Sequence, residues 1–425
     1  MINKILYAIY NTITYFLQPI LLLRLLIRGL IDSNYFKNWK ERYGFLKFSI
    51  FEKCILIHCV SLGEVNSIIP LIKIIKKKHI NVPILLTTTT LTGLNQAKKQ
   101  LLNSVYYAYL PYDLLSVIKR FFKHINPKLV ILVEREIWPN LIKALYLKNI
   151  PIVLANARLS ERSFKKYKKI KIFITNILNY INIIASHSYE DGRRFLDLGI
   201  NKKNLKIIGN IKFDINYTFN LRKKTYINFI RQNCCVWIAA STHPGEEKIV
   251  LKLHKNLLKK FPNLILILAP RHPERFKKVS RIIKKFKLNF ITYKNRNNIT
   301  PSTNVILYNE IGKLVHFYKI SDIAFIGGSL LNYGGHNPIE AAINKVPIIT
   351  GPFVRNFYDI NTKLKQSNAL IMANNYDELI VWMKILLFNK DLRLAYGLRA
   401  FKTCYKYRGA SNNLFHLIQP FLRNN

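Results

Sequence analysis

Past residue 50, short apolar runs rich in β-branched residues alternate with longer lysine-rich stretches of helical period. No other feature constrains the chain as much. A strand buried on both faces reads as a continuous apolar run, and parallel neighbours need a crossover long enough to hold a helix. The pattern is therefore that of strand-helix-strand units around parallel sheets. In the first half the runs are CILIHCV (54–60), PILLTTT (83–89), VYYAYL (105–110), KLVILVE (128–134), PIVLA (151–155), NIIAS (182–186) and LKIIG (205–209). In the second they are VWIAAS (236–241), LILILAP (264–270), FITY (290–293), VILYN (305–309), DIAFIGG (322–328) and VPIIT (346–350). The expected architecture is α/β: two doubly wound Rossmann-like domains, 31–213 and 234–400, facing a cleft and joined by a polar hinge at 214–233. A C-terminal helix within 401–425 is expected to pack back on the first domain. Ligands of such sheets bind beyond the carboxyl ends of the strands, so chemistry is sought in the loops that follow them.

Residues 1–30 read differently. The stretch 5–29 is about long enough to span a bilayer, yet Asn11, Gln18, Pro19, Arg24 and Arg28 interrupt it, and a basic residue near a bilayer centre is costly. An anchor helix lying in the interface is expected, with Tyr7, Tyr10, Tyr15 and Phe16 near the headgroups and the arginines on anionic lipid. No small-residue cleavage site follows, and the basic sequence after it predicts that the next domain stays on the cytoplasmic side.

The 67 Lys and Arg against 22 Asp and Glu give a net charge of +45, a field that favours anionic partners. Lysine, isoleucine and asparagine are inflated together, as an A+T-rich genome would make them, so composition accounts for part of that charge. The chain shows neither the interleaved aromatic motif of RNA binders nor a DNA-reading helix, and nucleic acid is not expected. The cysteines have no C-x-x-C spacing and the histidines no H-E-x-x-H, so neither a metal nor a cofactor is expected.

Several post-strand loops carry polar groups. In DIAFIGGSLLNYGGHNPIEAA (322–342), the glycines permit close backbone approach, and Asn337-Pro338 reads as an N-cap followed by proline at the first helical position. Ile339 then opens a helix whose N-terminus suits a phosphate, and Glu340 is placed to accept from sugar hydroxyls. Arg271, after Pro270 at the end of a strand, offers a fork matching phosphate. NEIGKL (309–314) follows another strand, and it reads equally as a simple turn or as a segment whose main-chain groups around Ile311 and Gly312 meet a base edge. Glu134 ends an apolar strand, where a buried carboxylate needs a partner. Asp113, Asn156 and Thr92 are residue types that serve as caps or turns. Ser61-Leu62-Gly63-Glu64 has two readings: a reciprocal capping box, or a catalytic base that the helix dipole would hold in its charged form.

Taken in order, the motifs WKERYGF, HCVSLGEV, TTTTLTG, YLPYDL, EREIWPN, ANARLSERS, EDGRRF, GNIKFD, AASTHPGEE, APRHPERF and FIGGSLLNYGGHNPIEAA resemble the 3-deoxy-D-manno-octulosonic acid (Kdo) transferases of lipid A biosynthesis. The resemblance runs through almost the whole chain. It implies a metal-independent glycosyltransferase of the double-Rossmann (GT-B) type that moves Kdo from CMP-Kdo, with inversion, to the phosphorylated disaccharide precursor of lipid A. The work would be done on the cytoplasmic face of the inner membrane. It implies Glu64 as general base, and Glu134 and Lys212 as stabilisers of the transition state. Pro270, Arg271, Ile311, Gly312, Lys313, Asn337, Pro338, Ile339 and Glu340 would bind CMP. Two positions depart from the family pattern: Arg135 stands where a small polar residue is usual, and Lys313 where an acidic one is. The competing readings are a related transferase for another nucleotide sugar, suggested by the same anion-binding loop, and a non-catalytic basic membrane-binding protein, suggested by the charge.

Overall fold

The structure, a computed structural model, describes residues 2–215, 235–310 and 314–423. Nearly all of the expected hinge lies outside these residues, as do Ile311, Gly312 and Lys313. The chain divides into two compact units, Met1–Asn216 with Arg408–Asn425, and Tyr217–Tyr407.

Each unit is built on a seven-stranded sheet whose pairings are all parallel. Unit 1 holds β1 (Ile50–Cys59), β2 (Ile84–Thr88), β3 (Tyr106–Tyr109), β4 (Ile125–Val133), β5 (Ile152–Ala157), β6 (Ile183–Ser186) and β7 (Leu205–Ile207), in the order β3-β2-β1-β4-β5-β6-β7. Unit 2 holds β8 (Val236–Thr242), β9 (Ile265–Pro270), β10 (Phe290–Thr292), β11 (Val305–Leu307), β12 (Ile323–Ile326), β13 (Ile348–Thr350) and β14 (Leu370–Met372), in the order β10-β11-β9-β8-β12-β13-β14. Every strand except β14 overlaps a run read from the sequence, though β1 and β4 begin before theirs and β5 and β8 end beyond theirs. In both sheets the winding reverses beside the first strand, between β1 and β4 and between β8 and β12. Those are the switch points where doubly wound sheets open a ligand crevice.

Strand period explains the core. Along β1, Ile55, Ile57 and Cys59 pack on one face with Leu129, Ile131 and Val133 of β4. Cys54 and Leu56 pack on the other face with Val130 and Leu132, as successive side chains alternate across a sheet. The C-terminal helix Ala410–Arg423 adds Leu414, Phe415, Ile418 and Leu422 to the first of these layers.

The N-terminal segment forms two helices, Ile2–Phe16 and Gln18–Ile31, and residues Asn3–Ile31 are long and apolar enough, by length and composition, to cross a membrane. Tyr7 and Tyr10 are turned onto protein, not outward as headgroup anchors, while Tyr15 stays exposed. Tyr7 is buried against Phe173, with ring centroids 5.1 Å apart. The Tyr10 hydroxyl donates to Asp113 Oδ2 at 2.8 Å, and the Tyr15 hydroxyl meets Ser116 Oγ at 3.0 Å. Amphipathic periodicity marks an apolar face without saying whether lipid or protein covers it, and here the protein takes the tyrosine face of the first helix. The second helix leaves Ile20, Leu23, Ile27, Leu30 and Ile31 exposed.

Candidate active site

At the switch point of unit 1, β1 ends and the helix Leu62–Lys78 begins. Ser61 is its N-cap in an extended conformation, but its hydroxyl does not cap a helix N–H. Instead, that hydroxyl donates to Glu64 Oε1 at 3.3 Å, and Glu64 Oε2 accepts from the Val60 N–H at 2.6 Å. The reciprocal capping box is therefore not made, since its glutamate would bond the N–H of Ser61. Burial pushes the Glu64 carboxyl up to about 7, and the neighbouring Glu134 and Glu136 charges add to the rise against the lowering influence of the Val60 N–H and Lys212. The sequence-based expectation that the dipole keeps this group charged is corrected by these stronger effects. A carboxylate titrating near neutrality is suited to proton abstraction.

Glu134 lies one residue beyond β4, buried, with φ +65. A left-handed backbone on a buried glutamate is costly and marks a position held by its surroundings. Its N–H donates to Ala155 O at 2.9 Å, and its carbonyl accepts from the Arg158 N–H at 3.3 Å. Lys212 Nζ stands 2.6 Å from Glu134 Oε1. Burial alone would push this carboxyl up; the charge and hydrogen bond of Lys212, then Arg158 and His187, outweigh it and hold it below the usual carboxylate range. Arg135 is exposed and is not among the charges that dominate at Glu134. The Lys212 turn, Ile211–Asp214, is fixed from both sides. Asn156 Oδ1 accepts from the Ile211 N–H at 3.2 Å, and Asp214 accepts from the N–H groups of Gly409 at 2.7 Å and Ser411 at 2.6 Å.

Glu136 belongs to the same cluster and was not singled out from sequence. It accepts from the Trp138 indole N–H at 2.8 Å and lies 3.6 Å from Nε2 of the fully buried His58. Its signal was the E-x-E spacing in EREIWPN. The other loop residues are structural. Asp113 accepts from the N–H groups of Asn140 and Leu141 at the start of the helix Pro139–Leu147, and Thr90, not Thr92, caps the helix Leu91–Leu101.

At the switch point of unit 2, the loops after β8, β9 and β12 converge. Glu246, fully buried, opens the helix Glu246–Leu258 and binds the glycine-rich loop. Its Oε2 accepts from the N–H groups of His243 at 2.9 Å and Gly328 at 2.7 Å, and its Oε1 from those of Ser329 and Leu330, both at 3.0 Å. The N–H of Arg271 donates to Thr242 O at 3.0 Å, leaving the guanidinium exposed. His243 Nε2 and His336 Nε2 lie 2.8 Å apart. One expectation needs correcting. Pro338 is the N-cap residue, not the first helical one, and the helix Ile339–Ile343 has only 5 residues. Asn337 Oδ1 accepts from the Ile339 N–H at 3.1 Å in a local turn. A single-turn helix supplies little dipole; the positive charges acting at this edge include Arg271 and Arg275. Pro270 and Ile339 are buried and Glu340 half-buried.

Residues 37–215 match the family model described as 3-deoxy-D-manno-octulosonic-acid transferase (kdotransferase). The chain is 39% identical to a 3-deoxy-D-manno-octulosonic acid transferase of Haemophilus influenzae, over 98% of this chain and 99% of that protein. It is 32% identical to a probable mitochondrial 3-deoxy-D-manno-octulosonic acid transferase of Arabidopsis thaliana, over 86% of this chain and 83% of that one. Among solved structures, a UDP-GlcNAc 2-epimerase from Neisseria meningitidis bound to UDP-GlcNAc is similar in fold. It has a TM-score of 0.59 at 14% identity, covering 87% of this chain and 100% of that one.

Proposed function

Because this chain belongs to the Kdo transferase family, we propose that it transfers Kdo from CMP-Kdo to a phosphorylated lipid A disaccharide precursor, with Glu64 as general base. It is a glycosyltransferase of lipopolysaccharide biosynthesis. The observation that carries the assignment of the base is the setting of Glu64, at the head of the helix after β1 with only the Val60 N–H and the Ser61 hydroxyl bonded to its carboxyl among the described residues. There burial and the Glu134 and Glu136 charges push that carboxyl up to about 7.

In this reading Glu64 takes the proton of the acceptor hydroxyl as its oxygen bonds to the anomeric carbon of Kdo. Positive charge develops at that carbon as the phosphate leaves, and the ionised Glu134 stabilises it. Lys212 keeps Glu134 ionised and offers its charge to the donor's carboxylate or the departing phosphate. Pro270, Arg271 and Asn337 to Glu340 hold the nucleotide in unit 2, and Ile311 to Lys313 complete that set. The exposed apolar face of the helix Gln18–Ile31, with Arg24 and Arg28, lies on an anionic membrane at the cytoplasmic face, where the lipid acceptor is.

The test is mass spectrometry of the lipid product made by purified wild type and by Glu64→Gln from CMP-Kdo and lipid A precursor. Kdo addition by the wild type and its near-total loss in the variant are expected. Unchanged turnover in the variant removes Glu64 from the role. Thermal protection by CMP over UDP and GDP is expected, and a preference for UDP would favour another nucleotide sugar.

A further inference from the structure

Resting on the reading of unit 2 as the nucleotide-binding half, we infer that His243 and His336 form one proton-accepting pair that holds the phosphate of CMP. Their ring centroids lie 5.1 Å apart with planes 10° apart, and their Nε2 atoms meet edge to edge in hydrogen-bond contact at 2.8 Å. One Nε2 must carry a hydrogen and the other must not, so the two imidazoles share a single proton at this contact.

The surroundings are built to hold this arrangement. Both rings lie over Gly328, whose φ is +69; a Cβ there would stand 3.0 Å from His336 Cδ2 and 3.3 Å from His243 Cδ2. A side chain at 328 would displace the pair. Glu246 Oε2 bonds the N–H groups of both His243 and Gly328, so one buried carboxylate fixes the loop after β8 against the loop after β12. Tyr333 stacks on His243 at 4.3 Å, and His272 meets it edge-on at 5.3 Å.

The charged groups facing the pair are Arg271, His272 and Arg275, the last ion-paired to buried Glu247, together with Glu246. Burial, then His272 and Arg271, holds His243 down to about 4. Burial, then Arg271 and His243, holds His336 down to about 3. Without ligand the pair is therefore neutral at pH 7. During transfer the bond between the Kdo carbon and the phosphate oxygen breaks and its electron pair stays on that oxygen, so the phosphate passes from monoanion to dianion. The acceptor oxygen bonds to the same carbon and gives its proton to Glu64. As the second negative charge arrives, the pair takes one proton from solvent and donates it as an imidazolium hydrogen bond to the phosphate.

The experiment titrates the full chain, in detergent, with CMP and with cytidine between pH 6.5 and 7.5, reading ¹⁵N-labelled histidine by NMR. CMP is largely dianionic across this range, since a phosphate monoester's second pKa is about 6. Uptake of one proton predicts that the Kd of CMP rises up to about tenfold over that pH unit while that of cytidine stays flat. It also predicts that CMP moves the shared rings to imidazolium shifts. In His336→Gln the pH slope disappears and the preference for CMP over cytidine falls about tenfold or more, and His243→Asn gives the same result by an independent substitution. Tight CMP binding with neutral rings and no slope overturns the pair and leaves the nucleotide reading standing. Failure of the wild type to bind CMP overturns both.

Discussion

Glu64 and Glu246 occupy corresponding places in the two units. Each sits in the first turn of the helix that follows the first strand of its sheet in chain order, β1 or β8, beside a switch point. Burial raises the carboxyl pKa of both. They differ in how many donors are fixed on them. A carboxylate has about four acceptor sites, and four backbone N–H groups fill those of Glu246. Glu64 receives one N–H and one weaker hydroxyl bond, which leaves capacity for a substrate proton. Position in the fold brings a carboxylate to the site, and the number of committed donors decides whether it braces or reacts.

The largest effect that would break this contrast concerns turnover. Glu64→Gln is expected to lower kcat about 10²- to 10⁴-fold, the usual contribution of a general base, with CMP affinity unchanged in a binding titration. A loss below tenfold would put Glu64 in the same class as Glu246. Next, Lys212→Met sharpens the contrast from the neighbouring carboxylate. Glu134 is held below its ordinary range, so it contributes stability above the unfolded pKa that is lost as pH falls. Removing its partner should cost about 3–5 kcal/mol at pH 8 in denaturant unfolding, and less at pH 4.

Glu246→Gln replaces one acceptor oxygen by an amide NH₂ facing two backbone N–H groups. It should destabilise the fold by about 2–4 kcal/mol and weaken CMP binding. The smallest effect has the opposite sign. The folded Glu64 carboxyl, at about 7, lies above its ordinary value of 4.5, so its ionisation burdens the fold progressively between those two values and fully above the upper one. Glu64→Gln should therefore stabilise the protein at pH 8, by roughly 2 kcal/mol, and change little at pH 4. Equal shifts in Tm at both pH values would contradict this.

The sheets were legible because most of their strands contain a short apolar run bounded by polar sequence. β14 was not, since the three residues of Leu370–Met372 are too few to establish a period. The contrast between Glu64 and Glu246 was also invisible. Both are glutamates after a strand and a glycine, and what separates them is the N–H groups of residues 328–330, which lie 82 to 84 positions beyond Glu246. For the tyrosines of the first helix, the partner Asp113 lies 103 residues from Tyr10, and no local periodicity encodes that contact. Lys212 was placed by motif resemblance, but its ion pair with Glu134 depends on the Asn156 and Asp214 hydrogen bonds that fix its turn.

The most direct measurement is a ¹³C NMR titration of the glutamate side-chain carboxyls in the full chain, wild type against Glu64→Gln. The account predicts one carboxyl that titrates near pH 7 and vanishes in the variant. A Glu64 carboxyl that titrates near 4.5 would contradict it.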